Sequence, residues 1–385
     1  MIRFTKEEWL NQYRETVSPR DLELLGAAYD VLQKNTVSSP AAPWGDVPVI
    51  SPWSGPCAGM WNWDSAFHAM TVSRFDTQLA QNCIDCFVKF QLPNGMLPDV
   101  VYVDGRIVDN YSKPPVMPWA VLTVFEADRD MDFLRRNYDR MVANEAFWVK
   151  ERSDRGLFFY SAQVNPAAND YLHPRYESGW DNSPRWDETI VDLWAVDLNC
   201  FMILFYRSMA KMAECLGEDA KVWNDKERAL CARVEECLYD EERATYADRN
   251  RQNGSFCRVL SPASFMPLFV GTASPARAEA MNRLARDTKK FYPGMPTVTY
   301  DDPAYSTDYW RGQTWFNVAY FAIKGLLDYG FTDTANEIKE FLLSMVHENL
   351  PRGIFENYDS INRRGKFNPS FSWTSAFVIE MILNW

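Results

Sequence analysis

Apolar residues recur at helical spacing along almost the whole chain, in two alternating styles. In one style a single stripe is apolar. Leu22, Leu25, Tyr29 and Leu32 fall at i, i+3, i+7 and i+10, and similar stripes return in Met131, Leu134, Tyr138 and Met141, in Trp223, Leu230, Val234 and Cys237, and in Ile338, Phe341, Leu342 and Met345. Such helices bury one face and wet the other. In the second style the helix is apolar nearly all round, as in 191–205 (VDLWAVDLNCFMILF), 315–327 and 371–385. A helix of that kind is enclosed by protein.

The pattern predicts about twelve helices, near 19–35, 64–74, 76–91, 117–127, 130–151, 191–216, 220–238, 262–270, 275–288, 313–330, 333–348 and 372–384. Ser18-Pro19 and Ser274-Pro275 each set a capping hydroxyl before a first-turn proline, and Asp333 is placed to cap the helix after it. Outer and inner types alternate about six times, as two concentric rings of six helices require. The expected fold is all-α, an (α/α)6 toroid (barrel), with residues 1–385 as one domain, because no linker, low-complexity tract or charge block divides the chain. Connections from inner to outer helix are short, as at Gly330-Phe331-Thr332. Those from outer to inner are long, at 36–63, 92–116, 152–190, 239–261, 289–312 and 349–371. Connections beyond about 12–15 residues are uncommon unless they carry function. In a toroid all six emerge on one face, where the site is expected.

Composition narrows the chemistry. A net charge of −12 argues against a nucleic-acid binder, which needs a basic face, and gives no support to an anionic membrane surface. No stretch approaches 18 uninterrupted apolar residues, and 1–10 (MIRFTKEEWL) lacks the apolar run of a signal peptide. Eight Cys show no disulfide framework, and the Cys83–Cys86 pair and Cys200, Cys215, Cys231 and Cys237 sit in helical patterns. Buried free thiols in a cytoplasmic protein are expected. With three His and one CxxC, no metal site is expected, and no cofactor. His68 and His347 fall in helices and only His173 in a long loop. Cys57 is in a long loop with no His paired to it. Aromatics reach 15%, with 15 Trp. They fill cores, and they also stack on sugar rings. The oligomeric state is not legible.

The long loops hold the distinctive chemistry. The third contains 177–186 (ESGWDNSPRW), with an acid, two Trp and an Arg in ten residues. The sixth contains 353–359 (GIFENYD), the first Trp61, Trp63 and Asp64, the second Asn94, and the fifth ends in 309–315 (YWRGQTW). Two separated carboxylates among aromatics suit glycoside hydrolysis. One carboxylic acid protonates the leaving oxygen, and the other carboxylate activates water or attacks the anomeric carbon. Neighbouring indoles raise the acid's pKa by desolvation, and Arg and Asn hold sugar hydroxyls. Taken singly, each residue has a plainer use. A loop Asp beside Trp is usually a turn residue, Asp64 serves equally as an N-cap, Trp310 and Trp315 suit a wall or core, and Arg185 and Arg311 suit structural ion pairs. The case rests on all of them falling on one face.

At these residues the chain resembles a family. Residues 177–186 resemble the catalytic-acid motif of glycoside hydrolase family 63 and of the family 37 trehalases, and 355–359 (FENYD) resembles their catalytic-base motif. Trp63-Asp64-Ser65, Pro93-Asn94-Gly95, Pro114-Pro115, 196–199, 309–315 and 371–373 follow the family pattern in order. The resemblance implies an inverting, exo-acting α-glycosidase, with Asp181 as general acid and Glu356 as general base. The substrate pocket it implies is drawn from Trp61, Trp63, Asp64, Asn94, Gly179, Trp180, Arg185, Trp186, Tyr309, Trp310, Arg311, Gln313, Trp315 and Trp373. The partner expected is a small carbohydrate substrate, with α-glucosidase the leading reading. The compact bacterial members of the family include hydrolases of mannosylglycerate and glucosylglycerate, which is the alternative. For an anionic aglycone, Lys113, Arg175 and Arg363 are the candidate cations. A sugar 2-epimerase on the same toroid is a competitor from another class, and it would commonly need paired His.

Overall fold

Every predicted helix forms. In chain order the helices are α1 (Lys6–Asn11), α2 (Pro19–Lys34), α3 (Asn62–Val72), α4 (Thr77–Val88), α5 (Met117–Asp128), α6 (Met131–Glu151), α7 (Pro174–Ser178), α8 (Val196–Leu216), α9 (Lys221–Cys237), α10 (Met266–Phe269), α11 (Pro275–Ala285), α12 (Phe316–Asp328), α13 (Thr332–Asn349) and α14 (Ser372–Leu383). The short α1 and α7 are additions to the predicted set. The computed structural model describes residues 2–55, 58–161, 164–165, 170–171, 174–187 and 192–385. Cys57 and His173 therefore lie outside the described residues.

The inner ring closes on itself. Helix α3 packs on α5, α5 on α8, α8 on α10, α10 on α12, α12 on α14, and α14 on α3. Outer helices cover it, α2 against α14, α4 against α3, α6 against α5, α9 against α8 and α13 against α12. Burial follows the two sequence styles. Every residue of α3 is buried, whereas on α9 the buried residues are Trp223, Leu230, Val234 and Cys237, the predicted stripe. Two details differ. Met131 is exposed at the start of α6, where Phe133 and Leu134 turn inward instead. Asp333 lies inside the first turn of α13, and Phe331 takes the cap position without a side-chain bond. Ser18 and Ser274 do cap, accepting from the Asp21 and Arg277 amides.

The fold is helical, with short antiparallel ribbons of two or three strands in its long connections. Leu193–Trp194 is one such strand, paired with Arg249–Asn250, so α8 starts later than its apolar run suggests. Short turns join α3 to α4, α5 to α6, α8 to α9 and α12 to α13, leaving the long connections together at the other end of the ring. None of the seven described cysteines is in a disulfide, and Cys215 is exposed rather than buried. No helix among the described residues is long and apolar enough to cross a membrane.

Candidate active site

A cavity of about 580 Å³ opens among the long loops. Of the predicted residues, Trp61, Trp63, Asp64, Gly179, Asp181, Tyr309, Trp310, Trp315, Glu356 and Trp373 line it. The inner helices supply the rigid part. Trp63 and Asp64 lie in the first turn of α3, Trp315 directly precedes α12, and Trp373 is in the first turn of α14. Asp64 is the third residue of its helix, so it does not cap it. Instead Asn62 fixes the helix start, donating from its side chain to the Pro98 carbonyl (2.8 Å) and from its amide to the Asp99 carbonyl (2.8 Å). The indoles form one continuous wall. Trp310 and Trp315 stack at 3.9 Å, Trp315 meets Trp373 at 5.6 Å, and Trp373 meets Trp63 edge-on at 4.8 Å.

Asp181 sits on a loop held from three sides. Glu177, fully buried, pairs with Arg152 at the end of α6 (2.9 Å) and accepts from the Ser112 amide (3.3 Å) and the Ser161 amide. Asn182 accepts from the Trp310 amide (2.8 Å), and its carbonyl accepts from Arg311, which also pairs with Asp187 (2.6 Å). Gly179 lets the loop approach α3. Its φ is +75°, and a Cβ there would stand 2.4 Å from the Trp63 ring. Gly179→Ala is expected to destabilise the fold by about 2–4 kcal/mol and to displace Trp63, since it combines left-handed strain with overpacking. Urea unfolding with indole fluorescence would check this, and an unchanged midpoint would contradict it.

Burial pushes the Asp181 carboxyl up to about 6, against the opposing pull of the Lys113 ammonium. It would therefore hold its proton in mildly acid solution. Glu356 lies just before the hairpin formed by Asn357–Asp359 and Arg364–Lys366. Its amide donates to the Asn368 carbonyl (2.9 Å), and its own carbonyl accepts from Thr374 of α14 (3.0 Å). Tyr309 donates its hydroxyl to Glu356 Oε1 at 2.8 Å. Burial raises the Glu356 pKa, the Tyr309 hydrogen bond lowers it, and the charge of Asp181 raises it. Burial also pushes Asp64 well above the usual carboxylate range, with Lys113 opposing.

Several predicted residues do not reach the cavity. Arg185 is sealed beneath it, pairing with Asp197 (2.9 Å) and Asp248 (2.8 Å). Its guanidinium lies between the rings of Trp180 (4.7 Å) and Trp186 (4.9 Å). Those two Trp, each 1% exposed, therefore form the support under Asp181 rather than its wall. Arg311 clamps the acid loop as described. Gln313 is buried and donates to the Thr307 carbonyl (2.5 Å). Asn94 is an exposed turn residue whose side chain accepts from the Met96 amide. Of the candidate cations Lys113 lines the cavity, Arg175 acts electrostatically on Asp181, and Arg363 pairs with Glu348 (2.7 Å) on α13. His68 is enclosed in the core and His347 meets Glu23 (3.0 Å) on the outside, so neither approaches the carboxylates.

The cavity also has members absent from the predicted set, namely Trp53, Asn182, Asp308, Phe367, Asn368 and Phe371. Asn182 and Phe371 fall inside the family-like segments 177–186 and 371–373, and for the other four position in a long loop was the only sequence signal. Among the described residues no group of three or more His, Cys, Asp or Glu side chains is arranged to hold a metal ion.

Comparison with known proteins places the chain in a family and matches its fold. A family model described as "Mannosylglycerate hydrolase MGH1-like glycoside hydrolase domain" matches residues 58–374. The mannosylglycerate hydrolase of Rubrobacter radiotolerans is 23% identical over 414 aligned positions, covering 84% of this chain and 90% of that protein. The crystal structure of a GH63 mannosylglycerate hydrolase from Thermus thermophilus, solved with glucose, superposes with a TM-score of 0.79 at 24% identity, covering 92% of this chain and 99% of the other. The same protein has been solved with Tris and D-glycerate (TM-score 0.78). The neutral trehalase Nth1 of Saccharomyces cerevisiae shares the fold at a TM-score of 0.69 and 17% identity, covering 93% of this chain and 80% of the other.

Proposed function

We propose that this chain, which belongs to the family of mannosylglycerate hydrolase MGH1-like glycoside hydrolases, releases one sugar from the end of a small α-glycoside with inversion. The observation that carries the proposal is the pairing of Asp181 and Glu356 on one cavity walled by tryptophan. Asp181, its pKa raised to about 6 by burial, is assigned as general acid. Glu356 is assigned as base. The Tyr309 hydroxyl occupies Oε1, leaving Oε2 to take a proton from water. The water oxygen then bonds to the anomeric carbon as the glycosidic C–O bond breaks. The electron pair goes to the leaving oxygen, which takes the Asp181 proton.

The sequence favours an α-glucosidase, but the family match and the relatives support the alternative better. The Thermus thermophilus protein, named a mannosylglycerate hydrolase, has been solved with glucose and, in another crystal, with D-glycerate. A glycoside of the mannosylglycerate or glucosylglycerate type is therefore the substrate class we assign. Among the described residues seven thiols lie outside any disulfide, five of them buried, which supports a reducing, cytoplasmic setting. One core cluster running from Trp9 to Met381 supports a single catalytic domain over residues 1–385.

Proton NMR of a panel containing mannosylglycerate, glucosylglycerate, trehalose and short α-gluco-oligosaccharides tests the proposal. The β-anomer is expected in the first minutes, with a glycerate glycoside consumed fastest. Early α-anomer would overturn the inverting assignment, and consumption of the gluco-oligosaccharides alone would restore the α-glucosidase reading. The acid must be protonated to act, so kcat/KM is expected to fall as pH rises through about 6. It is also expected to fall on the acid side as Glu356 gains its proton. A rate still rising above pH 8 would contradict the acid role, and a rate that does not fall in acid would contradict the base role.

A further inference from the structure

Lys113 is 6% exposed, yet it lines the cavity together with Asp64 and Asp181. A buried ammonium must have partners. Its Nζ lies 3.4 Å from Asp99 Oδ1 and donates to the Tyr176 carbonyl in α7, and it stands 5.4 Å from the Tyr111 ring centre. Asp99 is itself 3% exposed and is pinned through its main chain. Its amide donates to the Val108 carbonyl, and its own carbonyl accepts from Asn62 at the start of α3. The Lys113 side chain thus joins the second and third long loops beside the cavity, and the Asp99 main chain continues the link to α3.

We propose that Lys113 is a positioning residue whose ammonium ties the Asp181-bearing loop to Asp99 and sets the charge balance of the cavity that Asp64 and Asp181 share. This rests on Asp181 being the general acid. The groups acting on Asp181 or acted on by it are Lys113, Asp99 and Tyr111 from the second loop, Arg175 from α7, Tyr309 from the fifth loop and Glu356 from the sixth. Asp64 faces the same ammonium from α3. Lys113 favours the ionised acid and Asp99 disfavours it. Removing either therefore moves the acid's titration, in opposite directions.

The test is the pH profile of kcat/KM for Lys113→Met, Lys113→Arg and Asp99→Asn, measured with whichever α-glycoside of the panel is cleaved. Lys113→Met is expected to move the alkaline limb up by about one pH unit while lowering kcat. Asp99→Asn is expected to move it down, and Lys113→Arg, which keeps the charge, to leave it near wild type. If Lys113→Met fails to fold, Lys113→Gln, which stays polar but loses the charge, takes its place, and an unmoved limb there overturns the inference in the same way. Lowered kcat with the limb unmoved would reduce Lys113 to a structural strut and overturn the inference. Asp181→Asn separates the two layers. Wild-type turnover in that variant would defeat the acid assignment, whereas an inactive Asp181→Asn with an unmoved limb defeats only the role of Lys113.

Discussion

Asp181→Asn is expected to lower turnover of a natural glycoside by about 10²–10⁴-fold, the range that general acid catalysis contributes. A substrate whose leaving group needs no proton separates this from general damage. An α-glycosyl fluoride should be hydrolysed by Asp181→Asn far closer to the wild-type rate, because fluoride departs unprotonated. Glu356→Gln should remain slow on both substrates, since water still lacks its base. Equal loss on both substrates in Asp181→Asn would remove the residue from the acid role. The fold should survive. Asp181 binds its proton more tightly folded than unfolded, with a pKa of about 6 against 3.8, so its contribution to wild-type stability falls as pH rises across that interval. The Asn side chain is spared that loss, and Asp181→Asn should unfold no earlier than wild type at pH 7.

The second large effect is on stability. Arg185→Met is expected to cost about 3–5 kcal/mol, because it leaves Asp197 and Asp248 buried without their cation. The midpoint of urea unfolding would report it. Activity should fall as well, through the Trp180 ring that rests on the guanidinium and carries Asp181 next to it. A residue that bound substrate directly would behave differently, raising KM with the unfolding midpoint unchanged. Replacing Asp197 and Asp248 with Asn together with Arg185→Met should recover part of the loss, since the uncompensated charges are then gone. No recovery would argue that packing between the two indoles, not charge, is what Arg185 supplies.

The helices and their ring assignment were legible in the chain, because they depend on local spacing. An apolar stripe on 221–237 and an all-apolar run on 316–328 differ in how many faces must leave water, and that count is written in consecutive residues. The face on which the cavity opens was legible for a related reason. Long connections alternate with short ones, so they gather at one end of the toroid. That Asp181 and Glu356 share a cavity was readable from their places in the third and sixth long loops, and the motif resemblance singled them out among the residues there. They are far apart in sequence, and nothing local relates them.

What each residue of a motif does was decided by tertiary structure alone. Arg185 and Asp181 are four positions apart in one motif, yet one is sealed between Asp197 and Asp248 while the other lines the cavity. Asp248 comes from the fourth long loop, which contributes nothing to the cavity wall, so no inspection of the motif reveals it. Lys113 gains its role from Asp99, Asp64 and a carbonyl of α7, and Phe367 enters the wall because the hairpin before it folds back over Tyr309. The periodicity of a chain records which faces avoid water. Which charge meets which depends on contacts between loops distant in sequence, and those exist only after the rings have closed.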